Sequence, residues 1–261
     1  MVLLDGKTLS EKILSDLRIK ISKINKSINL DIILVGDDPS SLKYVALKQA
    51  KAESIGIGGR LHHFSVNQPP ATIFSLIDSL NLDSSVTGFF VQLPLPENYD
   101  KNFIVNSINP NKDADGLNPT SGIIPAVDKG IIRLLEEYQI SLSGKSVVIV
   151  NDSLLIGQPL KKELEKQGAI VTLCNQKTTN LKSITLTSDI LISATGVKNL
   201  ITGPMVKEGI VAIDVGGGDI DFTGISPKAS YITTTFGGVG PMTVASLLEN
   251  TYELVIKNGG W

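Results

Sequence analysis

Apolar residues recur along the chain in two rhythms that alternate with one another. Ile13, Leu14, Leu17, Ile21 and Ile24 fall at helical spacing and predict a helix. The run from Leu30 to Val35, apolar but for Asp31 and ended by Gly36, predicts a buried strand. The alternation continues with a helix over about 40–55, a strand near 61–66, a helix over 70–80 and a strand over 86–91. Strands separated by helices require parallel crossovers, with helices on both faces of a sheet. After Leu93 the rhythm stops, and Pro94, Pro96, Pro110, Gly116, Pro119, Gly122 and Pro125 punctuate a stretch holding one short helix, about 103–108. A second alternating set follows: a helix over 126–138, a strand over 146–150, a helix over 159–167, then strands over 169–174, 189–193 and 210–215. This set predicts a doubly wound, Rossmann-like nucleotide-binding domain. The expected division is therefore 1–118 plus a final helix within 242–261 as one domain, and 119–241 as the other. No internal repeat is visible.

Composition narrows the chemistry. The 261 residues carry a net charge of -2, so nothing in the global balance draws the protein to nucleic acid or to an anionic membrane. No apolar run approaches the roughly 18 residues of a membrane span, which predicts a soluble, intracellular protein. The histidines are His62 and His63 and the cysteine is Cys174, too few for a disulfide framework, a Cys-rich zinc site or a multi-His metal site within one chain. The two histidines are adjacent, and on a strand they point to opposite faces. Proton chemistry then falls to Lys, Asp, Glu or Tyr, and no metal is expected.

In open parallel sheets ligands bind beyond the carboxyl ends of the strands. After the first long strand comes Gly36-Asp37-Asp38-Pro39-Ser40-Ser41, and the helix that it starts carries Tyr44 and Lys48 at i, i+4 on one face. After the third comes Gln92-Leu93-Pro94-Leu95-Pro96, and later Lys112-Asp113-Ala114-Asp115-Gly116. Each has a bland alternative as a solvated lysine, a loop-tying amide or an ordinary turn. Brought to one place, Lys48, Gln92 and Asp115 supply a proton-transfer group, a polar group to orient it and an acceptor for donor-bearing substrate edges. In the second half the strand over 146–150 runs into Asn151-Asp152-Ser153-Leu154-Leu155-Ile156-Gly157-Gln158-Pro159. This departs from the dinucleotide pattern G-x-G-x-x-G, yet still feeds a helix whose free backbone donors suit a pyrophosphate.

Together these segments resemble the bifunctional methylenetetrahydrofolate dehydrogenase/methenyltetrahydrofolate cyclohydrolase family. The matching stretches are Val35 to Ser41 with Tyr44, Lys48 and Lys51; Val91 to Pro96; Lys112 to Gly116; Ile213 to Gly216; Asp219 to Phe222; and Gly237 to Thr243. They extend over nearly the whole chain. The resemblance implies two α/β domains flanking a cleft, folate on the first and a nicotinamide dinucleotide on the second, in a cytoplasmic homodimer of one-carbon metabolism that serves purine biosynthesis. It implies that Lys48 is the catalytic lysine, that Tyr44 stacks on the substrate, that Gln92 orients the lysine and that Asp115 binds the pterin. Ser41 and Gly240 join the substrate-lining residues. The implied reaction oxidises methylenetetrahydrofolate with NADP and hydrolyses the methenyl product to formyltetrahydrofolate. Holding Lys48 neutral near pH 7 requires lowering a reference pKa of about 10.4 by about 3, worth roughly 4 kcal/mol.

The departures from the family pattern lie in the second half. Asn151-Asp152-Ser153 stand where the family has Gly-Arg-Ser, and Cys174-Asn175-Gln176 where it has Cys-His-Ser; that Arg and the second Ser commonly grip the 2′-phosphate of NADP. Gly217-Gly218 replace Ile-Asn, Ala126-Val127-Asp128 stand for Cys-Thr-Pro, and Phe236 replaces a proline. Asn151, Asp152, Ser153, Gly157, Gln176, Lys177 and Gly217 are the expected cofactor residues. Three readings follow: NADP held through Lys177, NAD accepted by Asp152, or a cyclohydrolase without dehydrogenase activity. A non-catalytic folate- or nucleotide-binding regulator is a fourth, and a binder has no need of Lys48.

Overall fold

The computed structural model describes residues 1–259. The chain opens with β1 (Val2–Leu4) and α1 (Gly6–Ile21), then β2 (Ile28–Val35), α2 (Pro39–Ser54), β3 (Ile57–Gly58), β4 (Leu61–Phe64), α3 (Pro70–Leu82), β5 (Gly88–Val91) and α4 (Lys101–Ser107). Beyond the Pro- and Gly-punctuated stretch come α5 (Ala126–Glu137), β6 (Ser146–Val150), α6 (Gly157–Lys166), β7 (Ile170–Cys174), α7 (Leu181–Thr185) and β8 (Ile190–Ser193). The remainder is β9 (Ile210–Asp214), α8 (Phe222–Ile225), β10 (Ala229–Thr233) and α9 (Val239–Lys257). This is an α/β protein whose named strands pair in parallel.

Two compact units divide the chain. One comprises Lys12–Ala126 and the chain from Ser246 onward, the other Met1–Glu11 with Val127–Ala245. The chain first passes between the units after Glu11, and the crossing expected near Asn118 falls after Ala126. The amino terminus belongs with the nucleotide-type unit rather than with the half that follows it in sequence. The reason is β1, whose Val2, Leu3 and Leu4 pair with Tyr231, Ile232 and Thr233 of β10. A three-residue edge strand is too short to carry a periodic signal.

In the unit of Lys12–Ala126, β2 is central: its Leu30 to Ile33 pair with Gly88 to Val91 of β5, and its other edge pairs with β3 and then β4. Both faces of β2 are covered, which explains the unbroken apolar run Ile32-Ile33-Leu34-Val35. Ile73, Ile77 and Leu80 face this sheet from α3 at i, i+4, i+7 and pack on Ile33, Val35 and Phe89. His62 Nε2 lies 2.8 Å from Asp31 Oδ2 and His63 Nε2 lies 3.0 Å from the Gly36 carbonyl, so the adjacent histidines do diverge along β4.

The other unit holds a six-stranded sheet in the order β1-β10-β9-β8-β6-β7. Its core is assembled from strand residues such as Val148, Val150, Leu191, Ala212 and Ile232. Strand β6 has its successor β7 on one side and β8 on the other. The chain reverses its winding there, and the crevice at the carboxyl ends of β6 and β8 is the switch point at which such folds bind ligands. Among the described residues no helix is long and apolar enough to cross a membrane.

Candidate active site

Asp38 starts α2 by accepting the Ser41 N–H at 2.8 Å, with Pro39 in the first turn, where its missing donor costs nothing. This fixed start sets the phase of the helix. Ser41 and Lys48 face inward and are buried, with Tyr44 between them half-buried on the same side. Lys48 Nζ donates to Gln92 Oε1 at 3.0 Å. Gln92, just beyond β5, donates its own Nε2–H to the Leu93 carbonyl at 2.5 Å, so its amide can present only the oxygen to the lysine. The Lys48 nitrogen lies 4.2 Å from the centre of the Phe90 ring and 4.9 Å from that of Tyr44. Burial among these groups pushes the Lys48 ammonium below its ordinary range, against the pull of the Asp115 carboxylate. The same desolvation raises Asp115, against the attraction of Lys48.

The loop that delivers Asp115 is shaped by its neighbour. Asp113, fully buried, accepts from the Gly116 and Asn118 N–H groups at 3.0 and 2.8 Å. Burial pushes its carboxyl up to about 6 although those bonds favour the charged form. Gly116 is required here because its φ is +73° and a Cβ would lie 2.8 Å from the Ile124 carbonyl. The Asp115 carbonyl accepts the Ala126 N–H at 3.0 Å, closing the loop from its far end. Lys48, Gln92, Tyr44 and Asp115 thus converge as the sequence expects. Phe90 was missed, because a buried aromatic on a strand gives no signal of chemistry. Asp113 was passed over in favour of the second aspartate of the same motif.

In the nucleotide-type unit the β6–α6 loop is tied to the end of β8: Asn151 Nδ2 donates to the Ala194 carbonyl at 2.6 Å. Asn151 Oδ1 accepts from Ser153 N and Gly157 N at 2.8 and 3.3 Å. Ser153 Oγ accepts from Ile156 N. A Cβ on Gly157 would stand 2.0 Å from the Asn151 carbonyl, so the first turn of α6 lies against the loop only because this residue is glycine. Asp152 is exposed, and its Oδ2 accepts the Asn175 Nδ2–H from the end of β7 at 2.5 Å. Gln176 and Lys177 are exposed, and the Lys177 N–H donates to Asn175 Oδ1.

After β9, the Asp214 carboxylate accepts from Gly217 N and Gly218 N at 2.9 and 2.8 Å, so Gly217 is held by its backbone. Asp219 gathers Ser193 Oγ, Thr195 N and Thr195 Oγ1 on one oxygen, at 2.6 to 2.8 Å, and its other oxygen is buried without a partner. Sequence reasoning missed this cluster, although Thr195 lies just beyond a strand end. Gly240 is exposed in the first turn of α9. A switch-point crevice, a glycine-opened helix and polar side chains at two adjoining strand ends together fit a dinucleotide.

Comparison with known proteins agrees in both halves. Residues 4–115 match the model of the tetrahydrofolate dehydrogenase/cyclohydrolase catalytic domain, and residues 125–258 that of the NAD(P)-binding domain of the same name. The bifunctional protein FolD of Campylobacter jejuni strain RM1221 is 43% identical over 275 residues, covering 97% of this chain and 98% of that protein. The crystal structure of bifunctional FolD from Campylobacter jejuni superposes with a TM-score of 0.93 at 41% identity, over 99% of each chain. The Trypanosoma brucei enzyme, solved with NADP and an inhibitor, gives 0.94 at 28% identity, covering 99% of this chain and 98% of that one.

Proposed function

The chain belongs to the tetrahydrofolate dehydrogenase/cyclohydrolase family, and from that premise we propose that Lys48 is the base of its hydrolytic step. The protein is a bifunctional methylenetetrahydrofolate dehydrogenase and methenyltetrahydrofolate cyclohydrolase of one-carbon metabolism, with an NAD(P)-binding domain. The observation that carries the proposal is the Lys48–Gln92 hydrogen bond, buried between two aromatic rings beside Asp115.

The bound dinucleotide supplies a hydride acceptor for the one-carbon bridge of the folate. What remains on the folate is a methenyl carbon bearing positive charge. A protonated lysine next to it would oppose that charge, and burial of Lys48 favours the neutral amine instead. Gln92 Oε1 holds one N–H of that amine, which leaves the nitrogen lone pair directed away from the amide. The lone pair takes one proton of a water attacking the methenyl carbon. The bond from that carbon to N5 then breaks as the proton of the new hydroxyl passes to N5, which leaves the formyl group on N10 of formyltetrahydrofolate. Asp115 accepts from the donor-bearing edge of the pterin, Tyr44 covers its face, and Ser41 and Gly240 line the substrate. Asn151, Asp152, Ser153, Gly157, Gln176, Lys177 and Gly217 take the dinucleotide. The resemblance makes NADP the expected acceptor, with Lys177 as the cation for its phosphate; the carboxylate of Asp152 favours NAD. On the same reading the protein is a cytoplasmic homodimer that supplies purine biosynthesis, and light scattering on the purified protein would then return the mass of two chains.

The test is an absorbance assay of the purified protein with methylenetetrahydrofolate and either NADP or NAD, then with methenyltetrahydrofolate alone. Dinucleotide reduction and cofactor-independent hydrolysis are both expected. Lys48→Met should abolish the hydrolysis, and hydrolysis at the wild-type rate in that variant would refute the assignment of the base.

A further inference from the structure

We infer that Asp152 and Asn175 form a single recognition element that selects NAD over NADP. The inference rests on the dinucleotide reading above and concerns which dinucleotide that unit holds. In doubly wound folds the acceptor for the adenosine ribose hydroxyls stands at the end of the second strand, and an anion there favours the cofactor without a 2′-phosphate. From sequence that place looks empty of charge, because β7 ends at Cys174 and the next residues are Asn175 and Gln176.

The sheet register supplies the missing charge. Val150 at the end of β6 pairs with Cys174 at the end of β7, so the residues leaving the two strands are neighbours. Asn175 Nδ2 donates to Asp152 Oδ2 at 2.5 Å, which fastens the carboxylate of the β6–α6 loop beside the end of β7. The amide has no freedom to turn, because its Oδ1 accepts the Lys177 N–H at 2.8 Å, and the Asn175 N–H donates to Thr178 Oγ1 at 2.9 Å. One oxygen of Asp152 is taken by the amide, and the other is available to accept from ribose hydroxyls. A phosphate ester at the same place would meet this fixed negative charge, with Lys177 exposed on a flexible stem as the neighbouring cation. Repulsion of a single charge at about 4 Å, even with water-like screening, amounts to about fivefold to tenfold in affinity, and a phosphate near pH 7 carries more than one.

The experiment is titration calorimetry of the purified full chain with NAD and with NADP, without folate, on the wild type, Asp152→Ser and Asn175→Ser. The wild type is expected to bind NAD at least about tenfold more tightly than NADP. Asp152→Ser should bring the two affinities together by raising that for NADP. Asn175→Ser, which frees the carboxylate without removing it, should weaken NAD. Thermal melts check that each variant folds, which the exposure of Asp152 and Asn175 favours. Tighter binding of NADP by the wild type, or a preference that Asp152→Ser leaves unchanged, overturns the inference and leaves the dinucleotide reading standing. Binding of neither compound overturns both.

Discussion

The two units place their functional groups in opposite physical settings. Around Lys48 the polar atoms are withdrawn from water, held by one another and pressed against Phe90 and Tyr44. At the ends of β6 and β7 they are exposed or half-exposed and are satisfied through backbone and amide contacts. The difference follows from what each must do. A lysine serves as a base near neutral pH only where desolvation lowers its pKa, so its neighbours cannot be exchanged without changing the chemistry. A dinucleotide is held mainly by strand ends, helix termini and close backbone approach. Those features survive replacement of Gly-Arg-Ser by Asn-Asp-Ser, so a change of side chains there bears on which dinucleotide is preferred rather than on whether one is held.

The largest expected effect separates the two settings. Lys48→Met should lower methenyltetrahydrofolate hydrolysis by about 10²-fold to 10⁴-fold, the usual span for a general base, while calorimetry still detects the dinucleotide. Equal loss of both would erase the distinction between the units.

Next in size is the pH dependence that Asp113 contributes to the folate-side unit. Its carboxyl is raised to about 6 by burial, above the value that it has in the unfolded chain. The protonated form therefore favours the folded state: the contribution is full below about pH 4 and is lost as pH rises through 6. Relative to Asp113→Asn, the wild type should lose up to roughly 3 kcal/mol of stability between pH 4 and 7, read from urea unfolding at each pH. Parallel stability curves for the two proteins would show that the burial of Asp113 carries no such cost.

On the other side of the comparison, Gly157→Ala forces a methyl group against the Asn151 carbonyl. The β6–α6 loop must move, at about 1 to 3 kcal/mol of stability, and dinucleotide affinity should fall about tenfold, more than hydrolysis does. Undiminished affinity would mean that the close approach of α6 to the loop plays no part in binding.

The smallest effect sharpens the electrostatics of the lysine. Gln92→Glu places a carboxylate where the amide oxygen now meets Nζ. An opposite charge favours the ammonium, so the lysine pKa rises and the acid limb of the hydrolysis pH profile should move upward by about 1 pH unit or more. An unmoved limb would place the titrating group elsewhere.

How much of this was legible in the sequence follows the same divide. The buried strands β2 and β5 and the helix α2 announced themselves through apolar runs and an Asp-Pro start, and the strand-end rule led to Lys48, Gln92 and Asp115. Phe90 stayed hidden because a core aromatic and an active-site wall look alike in sequence. Strand β1 was missed because its pairing joins residues more than 200 positions apart in the chain. The partnership of Asp152 with Asn175 was invisible for a related reason. It depends on the register that sets Val150 opposite Cys174, and neither loop alone contains that information.

The central claim is that burial holds Lys48 as a neutral amine, and the protonation state of that one side chain tests it most directly. Lysine labelled with carbon-13 at the ε position, followed by NMR against pH and assigned by the signal absent in Lys48→Met, reports it. The account predicts that Lys48 titrates well below the reference of about 10.4, apart from the exposed lysines. Titration at or above that reference would contradict it.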